Sequence, residues 1–71
     1  MLGDDHRMVL LAFANADPPV VLEEIAATAS ISLEQAWYAV LELIELRLLT
    51  TAGMSAYTLT EKGREAARGL A

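Results

Sequence analysis

Few side chains in this sequence are suited to covalent chemistry. His6 is the single histidine, and there is no cysteine. A serine nucleophile needs a base within hydrogen-bond reach, and His6 stands near the start of the chain with Asp4 and Asp5 as sequence neighbours. Without thiols and with one imidazole, the chain cannot assemble a metal site from two or more nitrogen or sulfur ligands. No glycine-rich phosphate loop is present, and the carboxylates are spread over several helix faces instead of recurring at an acid–base or ligand spacing. These residues point away from an enzyme, a cofactor and a metal.

Non-covalent recognition has more material. Gln35 carries an amide that could read adenine in a bidentate manner. Ser32, three residues earlier, completes an S-x-x-Q pattern in which hydroxyl and amide cap a helix start, and this structural role takes precedence. Trp37 and Tyr38 are adjacent and so point about 100° apart on a helix. Trp37 falls in an apolar stripe and reads as core or interface, whereas Tyr38 reads as a contact residue. Arg64 and Arg68 read as helix-surface partners of Glu61 and Glu65.

One small domain must position all of these groups, because the chain has 71 residues. A single core of this size supplies only about 3–5 kcal/mol. It must therefore be dense in apolar groups or completed by a partner chain. With 55% apolar and 21% charged residues, the composition excludes intrinsic disorder. The longest apolar run, Met8 to Ala14, is seven residues, against about 20 for a bilayer span. Met8 to Phe13 followed by Ala14-Asn15-Ala16 mimics a short secretory signal, but Asp4 and Asp5 occupy the segment that would need positive charge. A cytoplasmic location is the expectation.

The formal charge is −5. Residues 1–31 hold five acids against Arg7 alone, while residues 32–71 hold five acids against Arg47, Lys62, Arg64 and Arg68. Net negative charge opposes long-range attraction to phosphate, although a local basic patch can still bind nucleic acid. Any such patch belongs to the C-terminal half.

Hydrophobic periodicity predicts a first helix over residues 4–16, stopped by Asp17-Pro18-Pro19. Its apolar groups fall all round: Val9, Phe13 and Ala16 on one side, Met8, Leu11 and Ala12 on another, and Leu10 on a third. Such a helix is buried on more than one side, and with few other elements available a second copy of the chain is the expected cover. Val20-Val21 suits a very short strand. Leu22 to Ala29 suits a helix with Glu23 and Glu24 in its first turn and an apolar face of Leu22, Ile25, Ala26 and Ala29. After a tight turn at Ser30-Ile31, Ser32 starts a third helix from Leu33 to about Leu48. Its polar arc is Glu34, Gln35, Tyr38, Glu42 and Glu45. Ala36, Val40 and Leu43 face the first two helices, while Leu33, Trp37, Leu41, Ile44 and Leu48 extend beyond one core face.

A hairpin follows, with strands at Leu48 to Thr51 and Ala56 to Leu59 joined through Ala52-Gly53-Met54-Ser55. Thr60 then caps a last helix from Glu61 to about Leu70. The expected core is Leu10 or Leu11, Phe13, Ile25, Ala36, Val40, Leu43, Leu49 and Leu59. Met8, Leu11, Ala12, Trp37 and Leu41 are the expected homodimer interface, since two-fold pairing is the commonest way to bury surplus apolar surface.

This order of elements resembles the winged helix-turn-helix regulators of the MarR and PadR type. Three segments carry the likeness: Leu22-Glu23-Glu24-Ile25-Ala26; Ile31-Ser32 through Leu43 with Leu48-Leu49; and Tyr57-Thr58-Leu59-Thr60-Glu61-Lys62-Gly63-Arg64-Glu65-Ala66. The resemblance implies one mainly α domain over residues 1–71, with four helices and a two-stranded wing. It implies a small transcriptional regulator that binds duplex DNA as a homodimer. Ser32, Glu34, Gln35, Tyr38 and Glu42 would then face the partner, with Gly53, Met54 and Ser55 at the wing. Such relatives usually carry arginine or lysine on the third helix and wing, where this chain has none, and Arg47 stands where they often have glycine. An acidic module that binds another protein and not DNA is the alternative.

Overall fold

Asp4 and Asp5 open the first helix, α1 (Asp4–Ala14), at the end where the helix dipole favours anions. The computed structural model describes residues 3–17, 19–53 and 55–70. Helix α1 closes at Asn15, whose side-chain amide donates to the Leu11 carbonyl at 3.0 Å. Strand β1 (Val20–Val21) leads directly into α2 (Leu22–Ala29). Ser30 ends α2 in the left-handed conformation, φ 58°. The Ile31 amide then donates back to Ala26 at 3.1 Å, satisfying a carbonyl that the helix end would leave open.

Helix α3 (Leu33–Glu45) starts on the predicted capping box. The Ser32 hydroxyl accepts from the Gln35 amide at 3.1 Å, and Gln35 Oε1 accepts from the Ser32 amide at 3.0 Å. Strands β2 (Leu49–Thr51) and β3 (Ala56–Leu59) and helix α4 (Glu61–Leu70) complete the chain.

Two expectations about these elements are corrected. Helix α3 stops at Glu45, short of Leu48, because Arg47 enters the left-handed region at φ 64°. The Leu48 amide turns back onto the Leu43 carbonyl at 2.8 Å, and the Thr60 hydroxyl donates to the Arg47 carbonyl at 2.7 Å. The hairpin is also part of a three-stranded antiparallel sheet, ordered β1-β3-β2, in which Val20 pairs with Tyr57 and Val21 with Ala56. A two-stranded wing would have left the amides of the β3 edge without that partner. Gly53 lies in the expected turn between β2 and β3 and takes a positive φ, 95°.

The core gathers Leu10, Phe13, Ile25, Ala36, Val40, Leu43, Leu49 and Leu59, all buried as expected, with Leu11 only partly so. Val9, Val20 and Leu48 join them. Periodicity places Leu48 on the outward stripe of α3, yet it is buried. The left-handed turn at Arg47 instead points it inward beneath α4. Most of the apolar groups of α1 need no second copy to cover them. Helix α1 packs on α2, α3, α4 and β3, so Val9, Leu10, Ala12 and Phe13 are buried within one chain.

Thr60 joins three elements. Its hydroxyl donates to Arg47 and accepts from the Gly63 amide at 3.0 Å, capping α4, while its own amide donates to the Leu48 carbonyl at 3.0 Å. Thr60→Ala should cost about 1–2 kcal/mol, the loss of a cap together with a carbonyl left without its partner. Thr60→Ser should recover most of that in chemical denaturation. Equal stability of the alanine and serine variants would show that the hydroxyl contributes nothing.

Candidate recognition surface

Helix α3 presents the richest exposed surface, and its outer face follows from the way its inner face is used. Ala36, Ala39, Val40 and Leu43 are buried against the rest of the domain. At about 100° per residue the opposite arc must face solvent. Ser32, Glu34, Gln35, Tyr38 and Glu42 are all exposed, and Tyr38, at 64%, is more open than the exposed large apolar side chains such as Leu33 and Trp37. The five candidate contact residues therefore lie on one accessible helix face.

Their chemistry is less uniform than their placement. Gln35 has its carbonyl oxygen committed to the capping box, which removes half of the donor–acceptor pair needed to read adenine. Glu42 is bonded to His6: its Oε2 lies 2.6 Å from His6 Nε2, tying the first turn of α1 to the last turn of α3. The pair is ionic only when the imidazole carries its second proton. His6 is half-buried, and its Nδ1 is buried with no partner among the described residues. His6 thus acts as a structural link. The two residues lie 36 positions apart, and no local pattern signals that pairing.

Beside the polar arc runs an apolar rail. Leu33, Trp37 and Leu41 follow at i, i+4 and i+8 and are 50%, 42% and 42% exposed. Glu34 and Glu45 lie along one edge of this rail. Among the described residues, neither the outer face of α3 nor the β2–β3 turn carries a lysine or arginine. Gly53 and Ser55 are exposed at that turn, while Met54, the third candidate wing residue, lies outside the described residues.

Of the expected interface residues, Met8, Trp37 and Leu41 are exposed and Leu11 is half-buried. Ala12 is corrected: it is only 5% exposed, because its own chain covers it as part of the hydrophobic core. Arg64 and Arg68 also differ from expectation. Among the described residues the one ion pair is His6 with Glu42. The two arginines instead help line a pocket of about 350 Å³ between α1, β3 and α4, together with Leu11, Phe13, Leu59 and Ala67.

Fold and surface together define a small, mainly helical domain with a three-stranded antiparallel sheet and an acidic, partly apolar exposed helix. It is similar to the solved structure of a protein of unknown function from Listeria innocua, with a TM-score of 0.77 and 24% identity over 92% of this chain. The chain spans 48% of that protein's length, about half. No family model and no curated protein sequence matches it. Among the described residues, no helix is long and apolar enough to cross a membrane.

Proposed function

We propose that this chain is a winged helix-turn-helix domain of the MarR/PadR type, a small transcriptional regulator that binds duplex DNA as a dimer. In this reading α2, the left-handed turn at Ser30 and α3 form the helix-turn-helix, and the β2–β3 hairpin is the wing. The observation that carries it is the exposed outer face of α3, held at its start by the Ser32–Gln35 capping box and followed in the chain by an exposed hairpin turn. A helix that lies in the major groove needs this arrangement, free along one face and braced along the other. The second copy packs along α1, where Met8 and Leu11 remain at least partly open, and beside α4.

Binding to a labelled duplex at about 50 and 200 mM salt tests the proposal, because log K falls by about 0.9 per phosphate neutralised for each unit of log salt. With so few cations, the expected slope is shallow. Glu34→Gln with Glu42→Gln removes two negative charges from the face while keeping an oxygen at position 42 for His6, so duplex affinity should rise. No binding at the lower salt by either parent or variant would overturn the reading.

One observation favours a second reading. Cations are missing from the described outer face of α3 and from the turn, whereas apolar side chains are exposed there. This suits an acidic winged-helix module that binds protein.

A further inference from the structure

The rail of Leu33, Trp37 and Leu41 is left 42–50% exposed by the described residues, and its neighbours indicate what would cover it. The three side chains repeat every four residues and span about 12 Å of helix, so they present a straight apolar ridge. Helix-in-groove and helix-on-helix recognition both use anchors at this spacing. The edge of the ridge is acidic: Glu34 beside Leu33 and Glu45 one turn beyond Leu41, both exposed. Neither has an ion-pair partner among the described residues.

We infer that this rail is a docking site for a basic amphipathic helix of another protein, its apolar stripe on Leu33, Trp37 and Leu41 and its lysines or arginines along Glu34 and Glu45. The inference deepens the protein-binding reading and does not rest on DNA binding. A second copy of the chain fits the rail poorly. An antiparallel two-fold pairing of α3 on α3 keeps each acidic edge on the same side of the seam. Glu34 and Glu45 of both copies would then share one seam, between chains that each carry a formal charge of −5. Like charges so placed oppose association, whereas a cationic flank satisfies them.

Trp37 is the single tryptophan, so its emission reports coverage of the rail directly. The probe is a synthetic leucine–lysine peptide of roughly 18 residues, long enough to form a helix, with all leucines on one face. A scrambled peptide of equal composition and a leucine–glutamate peptide serve as controls. The expected result is a saturable blue shift of Trp37 emission with the leucine–lysine helix alone. Leu33→Gln with Leu41→Gln should weaken it by about tenfold or more while circular dichroism keeps the parent spectrum. Glu34→Gln with Glu45→Gln should weaken it several-fold and flatten its salt dependence.

Equal response to the scrambled peptide would overturn the inference, as would binding unaffected by both double variants. A blue shift of the protein alone that grows with concentration, with dimer formation in sedimentation, would also overturn it and assign the rail to a second copy. The duplex titration is read separately by anisotropy, so loss of DNA binding and loss of peptide binding are distinct outcomes.

Discussion

Gly63→Ala is expected to remove much of the protein's folding stability, although alanine is the better helix former by about 1 kcal/mol. Gly63 lies in the first turn of α4, buried where that helix crosses the turn between α3 and β2. A Cβ there would fall deep inside the van der Waals sphere of the Leu48 carbonyl oxygen. It would also lie 2.9 Å from the Leu48 carbonyl carbon and 3.1 Å from Leu59 Cδ2. Two of these atoms are backbone, so no rotamer change relieves them. Moving α4 outward would stretch the Thr60–Leu48 hydrogen bond at 3.0 Å and lift Thr60 from Arg47.

Overpacking typically costs about 1–3 kcal/mol, and obstacles in the main chain place this case at or above the upper end. A domain of this size holds only about 3–5 kcal/mol in total. Gly69 in the same helix provides the contrast. It is exposed, with nothing within 4 Å of a Cβ built there, so Gly69→Ala should be neutral or gain up to about 1 kcal/mol. Thermal melts followed by circular dichroism separate the two. A Gly63→Ala melt within a few degrees of the parent would refute the close approach of α4 to Leu48.

Leu43→Ala is the second large effect, with an expected loss of about 2–5 kcal/mol. Leu43 is fully buried, in a cluster that includes Leu10 and Ile25, both also at 0% exposure. Its side chain belongs to the layer where α3 meets α1 and α2, and truncation opens a cavity that three packed helices cannot collapse. Its carbonyl, which accepts from Leu48, is untouched by the substitution, so the loss reports packing. Val40→Ala, also fully buried, removes fewer atoms and should cost less. Leu41→Ala, on the exposed rail, should change stability by less than about 1 kcal/mol. Urea denaturation of the three variants gives the ranking. A Leu41 variant as unstable as the Leu43 variant would mean that the inner and outer faces of α3 are misassigned.

Features that depend on neighbours within a turn or two follow from the residues alone. Ser32 and Gln35 are three residues apart and cap each other with groups both carry, so the start of α3 was legible. Glycine at position 53 marked the turn of the hairpin. The i, i+3, i+4 spacing of Leu22, Ile25, Ala26 and Ala29 marked the buried face of α2, with Leu22 at its half-buried margin. The placing of Glu34, Tyr38 and Glu42 on an open face followed from the burial of Ala36, Val40 and Leu43 opposite.

Tertiary structure alone decided where α3 ends, what covers α1 and what His6 does. Periodicity continues through Leu46 and Leu48 without a glycine or proline, and nothing local stops the helix. Arg47 accepts the left-handed conformation because Thr60, 13 residues on, bonds its carbonyl, and Leu48 gains burial under α4. The apolar groups all round α1 announced burial but not its partner. Apolar contact is non-directional, so a face that α4 and β3 can cover reads the same as one awaiting a second chain. His6 and Glu42 meet because α1 crosses α3. A hydrogen bond between residues 36 positions apart depends on that crossing and on no spacing within either segment.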